Sequence, residues 1–231
     1  MTYVNMPGGG LILAVDGPSG TGKSTTCRAL AKRLDARYVD TGAMYRVATL
    51  AVLRAGVDPA DVDKVIEVTR DLPLAVNDDP DSSEVLLAGE NVAEEIRGAK
   101  VTRNVSAVSA VPEVRENLVA LQRRLAADAH RAIVEGRDIG TVVLADAPAK
   151  AYLTASAEVR ARRRYQQDRS AGREADFGTV LADVIRRDEM DSSRATSPLR
   201  PAVDATIIDT SELTLDQVLA SLIELVKESS R

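Results

Sequence analysis

One stretch limits this chain more than any other. Gly17-Pro18-Ser19-Gly20-Thr21-Gly22-Lys23-Ser24 fills every fixed position of G-x-x-x-x-G-K-[ST]. Its flanks are those the motif needs. Leu11-Ile12-Leu13-Ala14-Val15 before it reads as a buried parallel strand ending at Asp16. Gly22 to Leu34 after it reads as a helix, with Ala29, Leu30 and Leu34 on its inner face. Glycines let the backbone curl so that its N–H groups converge on phosphate oxygens, and the helix start adds partial positive charge there. Lys23 is suited to bridge β- and γ-phosphates and Ser24 to ligate Mg²⁺. The motif marks a nucleoside triphosphate site, not a reaction: switch GTPases, motor ATPases and small-molecule kinases share it.

The rest of the chain continues as α/β. Arg37 to Asp40 reads as a second strand, Thr41-Gly42 as a turn, and Ala43 to Arg54 as a helix. Further strands are expected at 132–134, 149–153 and 205–208, and helices at Pro112 to His130, Ala157 to Gln167 and Phe177 to Met190. Thr214 and Gln217 form a capping box for a C-terminal helix. Between 57 and 110 the pattern breaks. Pro59, Pro73 and Pro80 interrupt it, and 72–76 with 85–89 read as antiparallel strands joined by turn residues. Glu94 to Arg97 and Thr102 to Val111 are expected to be short helices. Residues 1–10 read as a loose leader without signal-peptide character.

One cysteine, Cys27, excludes an intrachain disulfide, and one histidine, His130, argues against a histidine zinc site or a serine–histidine triad. A cytoplasmic location is the default expectation. Net charge is −5, so bulk attraction to nucleic acid is not expected, nor is a membrane span. Charge distribution says more. Residues 58–95 carry 12 acids against Lys64 and Arg70, whereas 160–173 carry six arginines against Asp168. Of 30 bases, 24 are arginine, whose planar fork grips phosphate at two points. Base composition of the genome alone also yields arginine richness.

A phosphoryl transferase needs an acceptor site and cations around the transferred group. Thr41 and Arg46 follow the second strand, and Glu135-Gly136-Arg137-Asp138 ends the third. Both lie at the carboxyl edge of a parallel sheet, where ligands bind. Arg187, Asp191 and Arg194 share one helix face if that helix persists; the spacing also fits a solvated ion-pair stripe. Apolar runs ending in an aspartate occur at Asp16 and Asp40, so Ser24 is the single metal ligand expected.

Asp16 to Thr25, Asp40 to Arg46, Val111-Pro112-Glu113-Val114-Arg115, Glu135-Gly136-Arg137-Asp138-Ile139-Gly140-Thr141-Val142-Val143 and Arg187 to Leu199 together resemble the bacterial cytidylate kinases. The likeness runs from residue 11 to about 228. It implies a P-loop nucleoside monophosphate kinase fold: a five-stranded parallel sheet flanked by helices, an inserted monophosphate-binding subdomain with a small antiparallel sheet, and a short lid. The implied division is a core of 11–56, 111–156 and 174–231, an insert of 57–110 and a lid of 157–173. The implied reaction moves the γ-phosphate of ATP to CMP or dCMP, with Mg²⁺, in a monomer. Other P-loop small-molecule kinases, acting on UMP, shikimate or dephospho-coenzyme A, and a nucleotide-dependent switch are the alternatives.

Carried over by position, Gly17, Pro18, Ser19, Gly20, Thr21, Gly22, Lys23, Ser24, Thr25 and Arg160 would bind ATP. Thr41, Arg46, Ser106, Arg115, Arg137, Asp138, Arg187, Asp191 and Arg194 would line the CMP site. Arg46, Arg137 and Arg194 suit the acceptor phosphate, Asp138, Ser106 and Arg115 the base, and Asp191 the sugar. Lys23, Arg137, Arg164 and Arg187 would act in catalysis. Thr41 stands where the family often has serine, and Glu135 where aspartate is common. No general base is expected, because a phosphate monoester is largely dianionic at pH 7.

Overall fold

A computed structural model describes residues 10–229; the leader expected at 1–10 lies, but for Gly10, outside the described residues. The chain begins β1 (Leu11–Asp16), α1 (Lys23–Leu34), β2 (Arg37–Asp40) and α2 (Thr41–Arg54). It continues through α3 (Val62–Thr69), β3 (Leu74–Val76), β4 (Val85–Leu87), β5 (Glu90–Asn91), a 3-10 turn (Glu95–Arg97) and α4 (Ala99–Val108). Then come α5 (Pro112–Ala127), β6 (Arg131–Glu135), a π-helical turn (Ile139–Val143) and β7 (Ala149–Thr154). It closes with α6 (Ala157–Ser170), α7 (Phe177–Ser192), β8 (Thr206–Asp209) and α8 (Leu215–Ser229).

Five strands form one sheet in the order β2-β6-β1-β7-β8, every pairing parallel. A parallel sheet is covered on both faces, which explains its unbroken apolar runs. On one face Ala14, Val39 and Val134 pack with Met44, Ala48 and Val52 of α2 and Val114 and Leu118 of α5. On the other, Leu13, Val15, Ile133 and Leu153 pack with Cys27, Leu30 and Leu34 of α1 and Leu219 and Leu222 of α8. The carboxyl ends of β1, β2 and β6 therefore bring Asp16, Asp40 and Glu135 to one edge.

A second sheet, β3-β4-β5, is antiparallel. Its Val85 and Leu87 pack with Val92, Ile96 and Val101 against Ala43, Val47 and Leu50 of α2. Helix α2 is thus apolar on two sides because it is shared by both sheets.

Four local expectations are corrected. Thr41-Gly42 is the first turn of α2, because the Asp40 carboxylate accepts from Ala43 N (2.9 Å) and caps it. The acidic stretch after residue 57 contains α3, capped by Asp61, which accepts from Lys64 N. Helix α5 stops at Ala127, three residues short of His130. That residue is exposed, and its carbonyl accepts from Leu11 N at 3.1 Å. Helix α4 starts at Ala99 and ends before extended Val111, whose conformation Pro112 favours. The capping box forms as expected: Thr214 N donates to Gln217 Oε1 (2.8 Å), and Gln217 N to Thr214 Oγ1 (3.3 Å).

Candidate active site

The phosphate loop is a closed, pre-formed ring. Gly17 has φ +143°, and a Cβ there would meet Leu153 O at 2.0 Å, so no other residue fits. Lys23 Nζ turns back and donates to Gly17 O (2.7 Å) and Pro18 O (2.8 Å). Helix α1 begins at Lys23 with no side-chain cap and no acid in its first turn, so its leading amides face the loop unclaimed. Burial and the nearby Arg137 charge hold the Lys23 ammonium below the ordinary lysine range.

Side chains from three other elements fix this ring. Arg160 is 4% exposed and donates to Ser19 O (3.2 Å), to Ala155 O (2.9 Å) and to both carboxylate oxygens of Asp188 (3.0 and 2.5 Å). Thr210 Oγ1, just past β8, lies 3.0 Å from Thr21 O, and Arg163 donates to Thr210 O at 2.6 Å. Asp16 accepts from Ile139 N (2.8 Å) and Gly140 N (2.7 Å), tying the end of β1 to the turn after β6; burial raises its carboxyl to about 6.

Glu135 is the hub beneath the loop. Its Oε1 accepts from Ser24 Oγ (2.7 Å) and Tyr38 OH (2.8 Å), and its backbone carbonyl accepts from Thr41 Oγ1 (2.7 Å). Its Oε2 is buried with no partner. Burial, then the Asp40 charge, raise its carboxyl above the ordinary glutamate range. The apolar strand Ala132-Ile133-Val134 thus delivers the Glu135 carboxylate to the Ser24 hydroxyl.

Above this floor the arginines gather. Arg137 Nε donates to Asp191 Oδ2 (2.5 Å), and Arg194 Nη2 donates to Asp191 and to Ser109 Oγ (3.0 Å). Ser106 Oγ donates to Asp191 Oδ1 at 3.2 Å. Asp191 is 1% exposed, and its three cationic neighbours lower its pKa although burial opposes them. Arg115 and Asp138, each 4% exposed, form a buried ion pair beside it. Arg187 is largely buried and its Nε has no partner. Burial, then the charges of Arg137 and Arg46, drive its pKa well down, and Arg46 is lowered by burial and Arg137 in turn. These guanidiniums stay charged at neutral pH, so the shifts record first the cost of burying them and second their mutual repulsion.

Eight of the nine side chains expected around the acceptor are thus neighbours in one cluster. Thr41 sits at its floor with its hydroxyl given to β6. Arg46 also donates to Ile96 O and Thr102 Oγ1, both at 3.0 Å, which ties the cluster to the antiparallel unit. Arg164 pairs with Asp168 at 3.2 Å and adds its charge to Arg46 and Arg187. Thr25 is exposed on α1. Sequence reasoning missed Tyr38, Asp188 and Thr210 as supports of the loop; Asp188 stands in the Arg187 to Leu199 stretch without a role there, and only folding brings all three near.

A family model described as cytidylate kinase matches residues 13–228. The chain belongs to the cytidylate kinase family, and it is an enzyme of the kinase class. It is 70% identical to a cytidylate kinase of Corynebacterium glutamicum over 225 residues, 97% of this chain and 98% of that one. A cytidylate kinase of Rhodococcus opacus is 63% identical over 220 residues, 95% of this chain and 96% of that one. Among solved structures, an uncharacterized protein from Eubacterium ventriosum shares the fold, with TM-score 0.53 at 12% identity over 94% of this chain and 98% of that one. Among the described residues no helix is long and apolar enough to cross a membrane.

Proposed function

We propose that this kinase transfers the γ-phosphate of ATP to CMP or dCMP, giving the diphosphate and ADP. The observation that carries this reading is the convergence of Arg137, Arg187 and Arg194 on Asp191, with Arg46 near Arg137 and Arg187, and with Arg187 Nε and Arg194 Nε buried and unpartnered. Such a set is unfavourable until a polyanion enters it. The family supplies the identity of that anion as a nucleoside monophosphate.

ATP lies with its β- and γ-phosphates on the loop 17–24. Lys23 exchanges its two carbonyl partners for phosphate oxygens, and the open amides of α1 add theirs. The acceptor phosphate is taken by Arg46, Arg137 and Arg194. Arg187 and Arg164 lie between the two anions and spread the charge of the transferring group. Asp138, Arg115 and Ser106 hold the base and Asp191 the sugar. Arg160, spent on Ser19 and Asp188, holds the loop in shape rather than reaching ATP. The acceptor phosphate is already nucleophilic, so these residues position and neutralise; none has to remove a proton.

Mg²⁺ fits the loop. The Ser24 hydroxyl and the unpartnered, buried Glu135 Oε2 are oxygen donors of the hard type that this ion takes, Ser24 directly and Glu135 as support. When bound, the ion offsets charge on the β- and γ-phosphates. Residues 57–110 and 157–173 are the parts we assign to closing over the acceptor and over ATP, with Gly172 (φ +70°) as the hinge of the second. We assign the enzyme to the cytoplasm and to a monomer.

A coupled assay across CMP, dCMP, UMP and AMP tests the reading. CMP and dCMP are expected to lead. Preference for AMP, or hydrolysis of ATP with no acceptor turnover, overturns it.

A further inference from the structure

Two polar groups lie behind the ion pair that we assign to the base, and the mechanism above does not use them. Tyr45 of α2 is 8% exposed and its ring lies 5.2 Å from the Arg115 guanidinium carbon, in cation–π position. Gln122 of α5 is fully buried and lies two helical turns from Arg115, on the same face. Both amide atoms of Gln122 and the hydroxyl of Tyr45 are buried without a hydrogen-bond partner. The Gln122 amide lies close enough to act on the Tyr45 hydroxyl as a weak hydrogen-bond partner, although neither side chain meets strict bonding geometry. Burial raises the Tyr45 hydroxyl to about 12, and Arg115 and Gln122 oppose the rise.

Such an arrangement is costly. A leucine at 122 and a phenylalanine at 45 would fill the same space with no orphaned polar atom. The neighbours of both positions, Met44, Ala48, Leu118 and Val119, are apolar, so the local pattern calls for apolar residues. Sites where a sequence breaks its own packing rule are where function is expected. The function within reach is the aim of Arg115. Its guanidinium donates to Ser109 O (3.1 Å) and to Asp138 on one side, while the Tyr45 ring supports the other.

We propose that Tyr45 and Gln122 are positioning residues for base selection: they hold the Arg115 guanidinium in the plane in which it and Asp138 accept cytosine and refuse uracil. The inference rests on assigning Arg115 and Asp138 to the base. The chemistry is direct. Cytosine offers an amino donor at N4 and acceptors at N3 and O2. A carboxylate takes the amino group and a guanidinium the acceptors. Uracil reverses both signs, placing O4 against the carboxylate and N3–H against the guanidinium. Discrimination therefore depends on the angle of the guanidinium fork, not merely on its charge. Gln122, bonding the Tyr45 hydroxyl once the base draws Arg115 into place, fixes the ring that fixes the fork. A packing role alone predicts a different outcome from the same substitutions.

Tyr45→Phe and Gln122→Leu separate the two. We expect KM for CMP to rise about fivefold to tenfold while that for UMP stays level, so the CMP-to-UMP ratio of kcat/KM falls by the same factor. KM for ATP should hold within about twofold, and the thermal midpoint should stay level or rise as orphaned polar atoms leave the core. An unchanged CMP-to-UMP ratio in both variants overturns the proposal. If Gln122→Leu does not fold, Gln122→Met keeps the side-chain length, and Tyr45→Phe alone still decides. Wild-type enzyme run beside them isolates the premise: a wild type that prefers no pyrimidine breaks the proposed function, whereas a selective wild type with equally selective variants breaks only this inference.

Discussion

The phosphate loop and the arginine cluster both await phosphate, yet they wait in opposite ways. Most of the loop is paired within the protein, with only the leading amides of α1 left open. Lys23 bonds two carbonyls of its own loop, and Arg160 and Thr210 pin the backbone from outside. The cluster is not satisfied. Asp191 serves Arg137, Arg194 and Ser106 at once, and Arg187 Nε has nothing. A site made of backbone can close on itself, because amides and carbonyls carry both signs. A site made of guanidiniums has donors only, so it stores repulsion that the acceptor relieves. Within the cluster the Arg115–Asp138 pair is the exception, being neutral in sum and fully buried.

Substitutions should separate these cases. Lys23→Ala is expected to lower phosphoryl transfer by about 10³-fold, since it removes a donor aimed at the transferring group. CMP affinity by calorimetry should change little, because the cluster does not depend on the loop's own lysine. A loss of CMP binding as large as the loss of rate would merge the two regions and break the contrast.

Asp138→Asn should come next. It leaves Arg115 charged and buried without its partner, a change that costs about 3–5 kcal/mol, readable by urea denaturation without nucleotide. Unaltered stability would mean that this pair belongs with the unsatisfied arginines.

A smaller effect lies under the loop. The folded Asp16 carboxyl titrates at about 6 against 3.8 in an ordinary aspartate, chiefly through burial. The folded state therefore holds a proton that the unfolded chain has released. Asp16 contributes stability that is present below about pH 4 and is lost as pH rises to about 6, up to about 3 kcal/mol at a fully buried site. Denaturation between these limits should show stability falling in the wild type and a flatter profile in Asp16→Asn. A profile equally steep in both assigns the slope to other groups.

The two regions also differed in how far the sequence alone revealed them. The loop is contiguous, and its spacing, strand and helix could be read from residues 11–34. The arginines come from α2, α7 and the segments after β6 and α7, and spacing alone left Arg187, Asp191 and Arg194 as well suited to a surface stripe. Resemblance to a family named them; folding shows them buried together. Glu135 stood out in the sequence only as a departure from the usual aspartate; that it accepts from both Ser24 and Tyr38 depends on β2 and α1 meeting beneath the loop. Helix α3 was hidden by prolines and acids at 57–80, yet Asp61 is an ordinary cap and Val65 its buried contact. The acidic bias of that stretch has a partial account. Asp78 pairs with Arg37 at 2.6 Å, Asp81 with Lys32, and the carbonyls of Pro80 and Ser82 receive Arg28 from α1. Asp81 thus docks the hairpin on the helix that starts at the loop, and Asp78 docks it on β2.

The central claim is that the arginine cluster is under charge strain which the acceptor phosphate removes. Thermal unfolding of wild type and Arg187→Leu, each with and without CMP, tests it most directly. Without nucleotide the variant should melt at or above the wild-type temperature, and the rise that CMP gives the wild type should nearly vanish. A variant that melts well below the wild type, while keeping its full response to CMP, would show that Arg187 is a structural cation and that no such strain exists.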